Sequence, residues 1–306
     1  MNVTDIIIDA RGISKSFSGK EVVHAIDMQV ARGEIYGFLG PNGSGKTTFI
    51  RMLCGLMVPD SGQGTCLGFD IRTQYYRIKP LVGYMPQHFS LYEDLTVREN
   101  LDFMARMYSI PNRGRIVRDA IDRMELGPFS SQRSGTLSGG WKQRLSLAAC
   151  TMHNPKLLLL DEPTAGVDPS ARREFWDHIH ALAAEGITAL ITTHYMDEAE
   201  RCHRLTYIAY GTILASGSVE DIVAHANLTT WQVKGPDMYA LRNDLSKIPA
   251  ISQIVSFGST LHVSGRNPEL LKKTIEPFMT DAYQWSLIPV TLEEVFINLI
   301  QQAGAP

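Results

Sequence analysis

The chain has 306 residues, 44% hydrophobic and 20% charged, with a formal net charge of −3. That length allows roughly two domains and a large core, and the charge balance supplies no basic field for nucleic acid or an anionic membrane. Four scattered cysteines (Cys54, Cys66, Cys150, Cys202) form no C-x-x-C pair, which argues against a disulfide framework or zinc site and suits a reducing cytoplasm.

The start of the chain lacks the basic and apolar regions of a secretory leader. No apolar run approaches the roughly 18 residues that cross a bilayer, so a membrane role is expected only through a partner. Residues 6–13 are rich in β-branched side chains and read as a strand. A turn is expected over 15–19, carrying Phe17, and a second strand over 22–30. Arg32-Gly33 turns into a third strand, 34–39, then a glycine-rich loop and a helix over 48–54. Pro59 to Gly62 is a turn signal before a short strand at 63–67. Residues 81–85 read as a buried strand stopped by Pro86.

From about 88 to 150 the texture becomes helical. Residues 96–108 place Val97, Leu101, Met104 and Met107 at helical spacing, and Thr96 with Glu99 makes a capping box. Further helices are expected at 115–124 and 141–153. An apolar strand, 157–160, runs into Asp161-Glu162. Asp168-Pro169 is an N-cap with proline at the first helical position, opening a helix to Ala184. Residues 187–192 form a strand that delivers Thr193-His194, ahead of a short helix, a hairpin and a helix capped by Ser218. This alternation implies a mostly parallel sheet covered by helices. Residues 226–306 have their own rhythm, a small ferredoxin-like βαββαβ unit with a final helix. Two domains, 1–225 and 226–306, are therefore expected.

Gly40-Pro41-Asn42-Gly43-Ser44-Gly45-Lys46-Thr47 fits G-x-x-x-x-G-K-S/T between a strand and a helix, the setting of a phosphate-binding P-loop. The glycines let several N–H groups turn onto one phosphate chain, and the helix N-terminus adds its dipole. Lys46 is expected to reach the β- and γ-phosphates and Thr47 to ligate Mg²⁺, with Thr48 beside them. Asp161 and Glu162 end a buried strand. Asp161 suits Mg²⁺, and Glu162 suits polarising an attacking water. Leu137-Ser138-Gly139-Gly140 sets a serine and two glycines at a helix N-terminus, a second anion site. Each alone has an ordinary alternative: a glycine turn, an acidic turn, a Ser-capped helix. Together in one chain they favour nucleoside triphosphate chemistry.

These three elements, with Gln87 and His194 in the same order and spacing, resemble the ATP-binding cassette, the motor subunit of ABC transporters. Leu137 to Gly140 is similar to the family signature LSGGQ. The resemblance covers about residues 5–225. It implies a P-loop NTPase (RecA-like) α/β core with an N-terminal antiparallel β subdomain and a helical insertion, plus a small α+β C-terminal domain. It implies ATP and Mg²⁺ as ligands, with hydrolysis carried by Glu162, His194, Lys46 and Gln87. Phe17 matches the aromatic that stacks on adenine. Gln87 matches the glutamine that touches Mg²⁺ or the water. Asp168 matches an aspartate at the dimer seam, and His194 the histidine that contacts the γ-phosphate. Trp141 departs from the pattern, standing where the family has glutamine; it can stack but cannot accept a hydrogen bond.

The resemblance further implies a head-to-tail dimer of cassettes, each ATP lying between one P-loop and the other signature. Integral-membrane permease subunits are the other expected partners, contacted near Phe89-Ser90-Leu91-Tyr92. That places the chain at the cytoplasmic face of the cell membrane, peripherally. Thr291 to Ile297 looks like the closing stretch of cassettes from ABC-2-type exporters. A non-transport ABC ATPase acting on ribosomes or DNA is the alternative. Against it, only about ninety residues separate P-loop and signature, and no heptad run or basic patch appears. A GTPase fits less well, because no N-K-x-D motif is present.

Overall fold

The computed structural model describes residues 5–304. Backbone contacts divide the chain into two compact units, Met1–Ile213 and Leu214–Pro306.

The first unit opens on a long antiparallel hairpin, β1 (Ile6–Phe17) and β2 (Lys20–Ala31). The turn expected over 15–19 is narrower than the composition suggests. Lys15, Ser16 and Phe17 continue the ladder opposite Val23, Glu21 and Lys20. Only Ser18 and Gly19 take positive φ, 50° and 81°. β3 (Ile35–Leu39) and α1 (Lys46–Leu53) follow. β4 (Ser61–Cys66) and β5 (Phe69–Asp70) complete an antiparallel sheet of order β2-β1-β4-β5. Next come α2 (Tyr75–Ile78), β6 (Val82–Met85), α3 (Val97–Met107), α4 (Arg113–Arg123) and α5 (Gly139–Thr151). β7 (Leu157–Asp161), α6 (Pro169–Ala184), β8 (Thr188–Thr193), α7 (Met196–Ala199), β9 (Arg204–Ala209) and β10 (Thr212–Gly217) close the series. The second sheet has the order β10-β9-β3-β8-β7-β6, and β9 through β6 pair in parallel.

Every residue of β3, β7 and β8 is buried, as a parallel sheet covered on both faces requires. Side chains alternate across the pleat. Leu157, Leu159, Leu190, Tyr36 and Phe38 join a core with β1, β2 and α1, where Phe38 and Phe49 pack with ring centroids 5.2 Å apart. Leu158, Leu160, Ala189, Ile191 and Ile35 face the opposite way, into a core with α3 to α6. Thr96 and Glu99 form the expected capping box on α3. The buried stripe of that helix differs from the expected one. It runs Val97, Leu101, Ala105, a spacing of four that leaves Met107 off the stripe and 67% exposed.

In the second unit α8 (Val219–Ala226) is followed by β11 (Thr229–Lys234), α9 (Met238–Leu245), β12 (Gln253–Phe257), β13 (Thr260–Gly265), α10 (Pro268–Ile275), β14 (Gln284–Ile288) and α11 (Leu292–Ala303). Its sheet is antiparallel with the order β12-β13-β11-β14. Val233, Leu261 and Val263 pack against Leu241, Leu245, Leu271 and Ile275 from α9 and α10. The other face is polar. There His262 Nδ1 meets Glu294 Oε1 of α11 at 2.8 Å.

Leu159→Ala removes a fully buried side chain from β7 and should destabilise the first unit by about 2–5 kcal/mol, read as a lower urea midpoint for that transition. All four cysteines are buried. Burial pushes the Cys54 thiol up from 9.0 to about 11 and Cys150 up to about 12. Their neutral form is favoured in the fold, so stability present below the unfolded value is lost as pH rises from about 9 toward 11. Urea midpoints should fall between pH 8 and pH 10, and the thiols should resist alkylation at pH 8 until the chain unfolds.

Candidate active site

Four neighbouring parallel strands end on one edge of the second sheet. β3 leads to Gly40, β8 to His194, β7 to Asp161 and Glu162, and β6 through Pro86 to Gln87. Outside the carboxyl ends of such strands is where open α/β sheets bind ligands. The register fixes the grouping: Leu39 pairs with Thr193, and Asp161 with Thr192.

The loop after β3 needs its glycines. A Cβ on Gly40 would meet the Ile208 carbonyl oxygen at 2.0 Å. One on Gly45, at φ +102°, would meet the Val22 carbonyl oxygen at 2.7 Å. α1 begins at Lys46 with no side-chain cap. Its first N–H groups have no intrahelical acceptor, and the positive end of its dipole faces the loop. Ser44 Oγ is buried without a hydrogen-bond partner, whereas Pro41, Asn42 and Gly43 are exposed. An orphaned hydroxyl and uncapped amides make a cradle that fits a phosphate chain. Lys46 is 4% exposed. Its ammonium donates to the carbonyls of Gly40 at 2.7 Å and Pro41 at 3.1 Å and stands 3.2 Å from Glu162 Oε1.

Glu162 is the meeting point. It is 7% exposed and takes the left-handed backbone region at φ 47°, a costly conformation for a non-glycine residue. Its N–H donates to Thr192 Oγ1 at 2.9 Å. Gln87 Nε2 donates to Glu162 Oε2 at 3.0 Å. His194 Nδ1 lies 3.2 Å from the same oxygen, near enough for ion pairing but out of hydrogen-bond alignment. One residue back, Asp161 Oδ1 accepts from Thr47 Oγ1 at 3.0 Å and from Thr192 Oγ1 at 2.7 Å. Glu162 is paired with the buried Lys46 ammonium, whereas the buried Asp161 carboxylate meets two hydroxyls. The excess negative charge and the hydroxyl beside Asp161 suit a hard cation.

The other expected residues stand apart from this cluster. Phe17 is 43% exposed, with the Lys15 ammonium 5.9 Å from its ring centroid. Ser138 occupies the N-cap of α5, yet its hydroxyl makes no capping bond. Gly139 and Gly140 lie against the start of α6, where a Cβ on Gly140 would come within 2.7 Å of Ala171 Cβ. Asp168 caps α6, accepting from the N–H groups of Ser170 and Ala171 at 3.0 Å each. Those bonds, Ala171 first, hold its carboxyl below the ordinary range. Trp141 is occupied within the helical insertion. Its ring centroid is 4.4 Å from Phe129, and the Arg144 guanidinium lies 4.7 Å over it.

Two contributors were not singled out from the sequence. Thr192 bridges Asp161 and Glu162, and its only signal is a hydroxyl next to last in a strand that also carries Thr188 and Thr193. Glu198 is a buried carboxylate four residues past His194.

A P-loop on one parallel strand and paired carboxylates on another define a P-loop NTPase. Residues 23–165 match the ABC transporter family. The chain is 37% identical over 296 residues to the Nod factor export ATP-binding protein I of Burkholderia lata, covering 95% of this chain and 96% of that protein. It is 44% identical over 226 residues to the probable multidrug ABC transporter ATP-binding protein YbhF of Escherichia coli, covering 72% of this chain but only 39% of that longer protein. A solved ATP-binding subunit of an ABC transporter superposes with a TM-score of 0.65 at 27% identity, covering 72% of this chain and 92% of that one. The chain belongs to the ATP-binding cassettes of ABC transporters.

Gly45→Ala should strain the loop by about 1–3 kcal/mol. Titration with a fluorescent ATP analogue should show affinity weaker by about tenfold or more.

Proposed function

We propose that this chain is the ATP-hydrolysing motor of an ABC exporter and drives a separate membrane permease. The carrying observation is the convergence of Lys46, Gln87 and His194 on the Glu162 carboxylate. The loop from Gly40 to Thr48 would hold the phosphates and Phe17 would stack on the adenine. Thr47 and Asp161, with Gln87 nearby, would hold Mg²⁺, a partial oxygen site of the kind Mg²⁺ completes with water and substrate phosphates. Bound there, Mg²⁺ supplies charge neutralisation to the phosphates. Lys46, paired with Glu162 and the loop carbonyls, exchanges those acceptors for phosphate oxygens. That frees Glu162 Oε1 to accept a proton from water. Gln87 holds the other carboxylate oxygen, and His194 offers its imidazole to the γ-phosphate.

Gly139 and Gly140 lie against Gly166, Val167 and Ala171 of their own chain. A second cassette facing head to tail would supply its signature to the P-loop, with Asp168 at the seam. The permease would dock on the first unit. A groove of about 500 Å³ there is lined by Leu56, Lys79, Tyr84, Met107 and Tyr108, with Leu56 54% exposed. Of the segment 89–92, Tyr92 is exposed while Phe89 and Leu91 pack on the core. Among the described residues no helix is long and apolar enough to cross a membrane, which fits a peripheral subunit held at the cytoplasmic face by its permease. Residues 226–306 form an accessory domain in this reading. The export direction and a drug- or Nod-factor-like cargo follow the relatives' names.

Glu162→Gln keeps the shape of the side chain and removes the base. ATP turnover should fall by about 10²-fold or more, while ATP binding persists. This variant should sediment as a dimer with ATP and Mg²⁺ and as a monomer without them. A monomer in both conditions would count against the shared site.

A further inference from the structure

Behind His194 lies a buried carboxylate that the chemistry above leaves unused. Glu198, on α7, is 1% exposed. Its Oε1 accepts a short hydrogen bond from the Thr164 hydroxyl. Its Oε2 accepts from the Thr193 hydroxyl at 2.6 Å. Arg172 Nε, from the first turn of α6, stands 3.4 Å from Oε1. A carboxylate this deep is tolerated only when paired and hydrogen-bonded. Here the three partners come from three different segments.

Each segment belongs to the proposed machinery. Thr164 is two residues past Glu162, on the loop that ends at Asp168. Thr193 directly precedes His194. Arg172 rides on the helix that Asp168 caps. Arg172 also reaches the far side of His194. Its guanidinium lies 4.1 Å over the Tyr195 ring, and that ring lies 4.1 Å from the His194 imidazole, centroid to centroid. Tyr195 N–H donates back to Thr193 Oγ1 at 3.0 Å, and Asp197 takes a second Arg172 nitrogen at 3.3 Å. The residues before and after His194 are thus both held by the Glu198–Arg172 pair, while His194 Nδ1 has no aligned hydrogen-bond partner among the described residues.

The geometry points to Glu198 and Arg172 as positioning residues that set the His194 imidazole against Glu162 and couple its placement to the Thr164–Asp168 loop. The inference rests on the proposed role of His194 at the γ-phosphate. Neither residue touches the nucleotide. Loss of the clasp lets the turn bearing His194 shift, so the transition state loses a contact that ground-state binding does not depend on.

The test is a double-mutant cycle on the ATPase activity of the full chain, with the urea midpoint of each variant recorded. Glu198→Gln should lower kcat by about tenfold and leave the KM for ATP within about twofold. In a His194→Ala background it should cause no further loss, because the two act as a unit. Arg172→Lys keeps the charge but not the planar stack on Tyr195, and should show a smaller loss of the same kind. Losses that multiply in the double variant would overturn the clasp while leaving the role of His194 standing. If His194→Ala alone keeps full kcat, the proposed role of His194 fails first and the clasp falls with it. Should Glu198→Gln unfold, Thr164→Val replaces it in the same cycle. A loss absent from the His194→Ala background supports the coupling, and a multiplying loss refutes it.

Discussion

The first unit is organised around one constraint: a lysine and a glutamate, Lys46 and Glu162, buried together at 3.2 Å. Removing two charges from water is expensive, and their attraction compensates only when the remaining polar atoms are also satisfied. The parallel sheet does this. β3 brings Lys46 with two carbonyl acceptors, β6 brings Gln87, and β8 brings Thr192 for the Glu162 backbone and His194 for its carboxylate. The strand order β3-β8-β7-β6 is therefore also the order in which the charge is partnered. A one-residue slip of β7 against β8 would turn Asp161 away from Thr192 and reverse the faces of Leu157 to Leu160.

What the sequence made legible was mostly local chemistry. The Thr96–Glu99 capping box and the Asp168 cap each depend on residues within three positions of one another, so pattern and structure coincide there. The glycine loop was legible for the same reason. The turn after β1 was misplaced because Lys15, Ser16 and Phe17 suit a turn by composition, while hairpin pairing opposite Glu21 and Lys20 decides the matter. Met107 was counted on the apolar face of α3 because methionine is apolar, but the core admits a spacing of four that selects Ala105 instead. Thr192 gave little signal, since its carboxylate neighbours lie 30 or more residues away in the chain, and Glu198 gave little because Thr164 and Arg172 are as remote in sequence as Thr193 is close. No periodicity encodes that.

The second unit solves a different packing problem with a simpler device. Its sheet alternates apolar and polar positions, so one face closes on α9 and α10. The polar face cannot be left bare of partners where it is buried. Thr230 pairs with Ser264 at 2.8 Å, Gln232 with His262 at 3.0 Å, and His262 with Glu294 at 2.8 Å. Glu294 is fully buried and also closes the capping box of α11 with Thr291. Glu294, within the closing stretch of the chain, thus has a structural task. It starts the last helix and fastens it to the sheet.

The signature shows how one residue type can have two sufficient causes. Gly140 would have to be small even if no phosphate ever approached it, because a Cβ there meets Ala171 at 2.7 Å. Its presence is therefore weaker support for a second anion site than its place in the motif suggests. Ser138 carries more weight. It sits at an N-cap, where serine normally turns its hydroxyl onto the third residue of the helix, and it makes no such bond. The first turn of α5 also holds no acidic side chain, so that turn supplies no charge of its own to offset the positive end of the helix dipole. An exposed serine and a first turn without acidic side chains suit the half of an anion site proposed above. The other half, a phosphate chain held in the P-loop of a second molecule, is what a head-to-tail pair would bring.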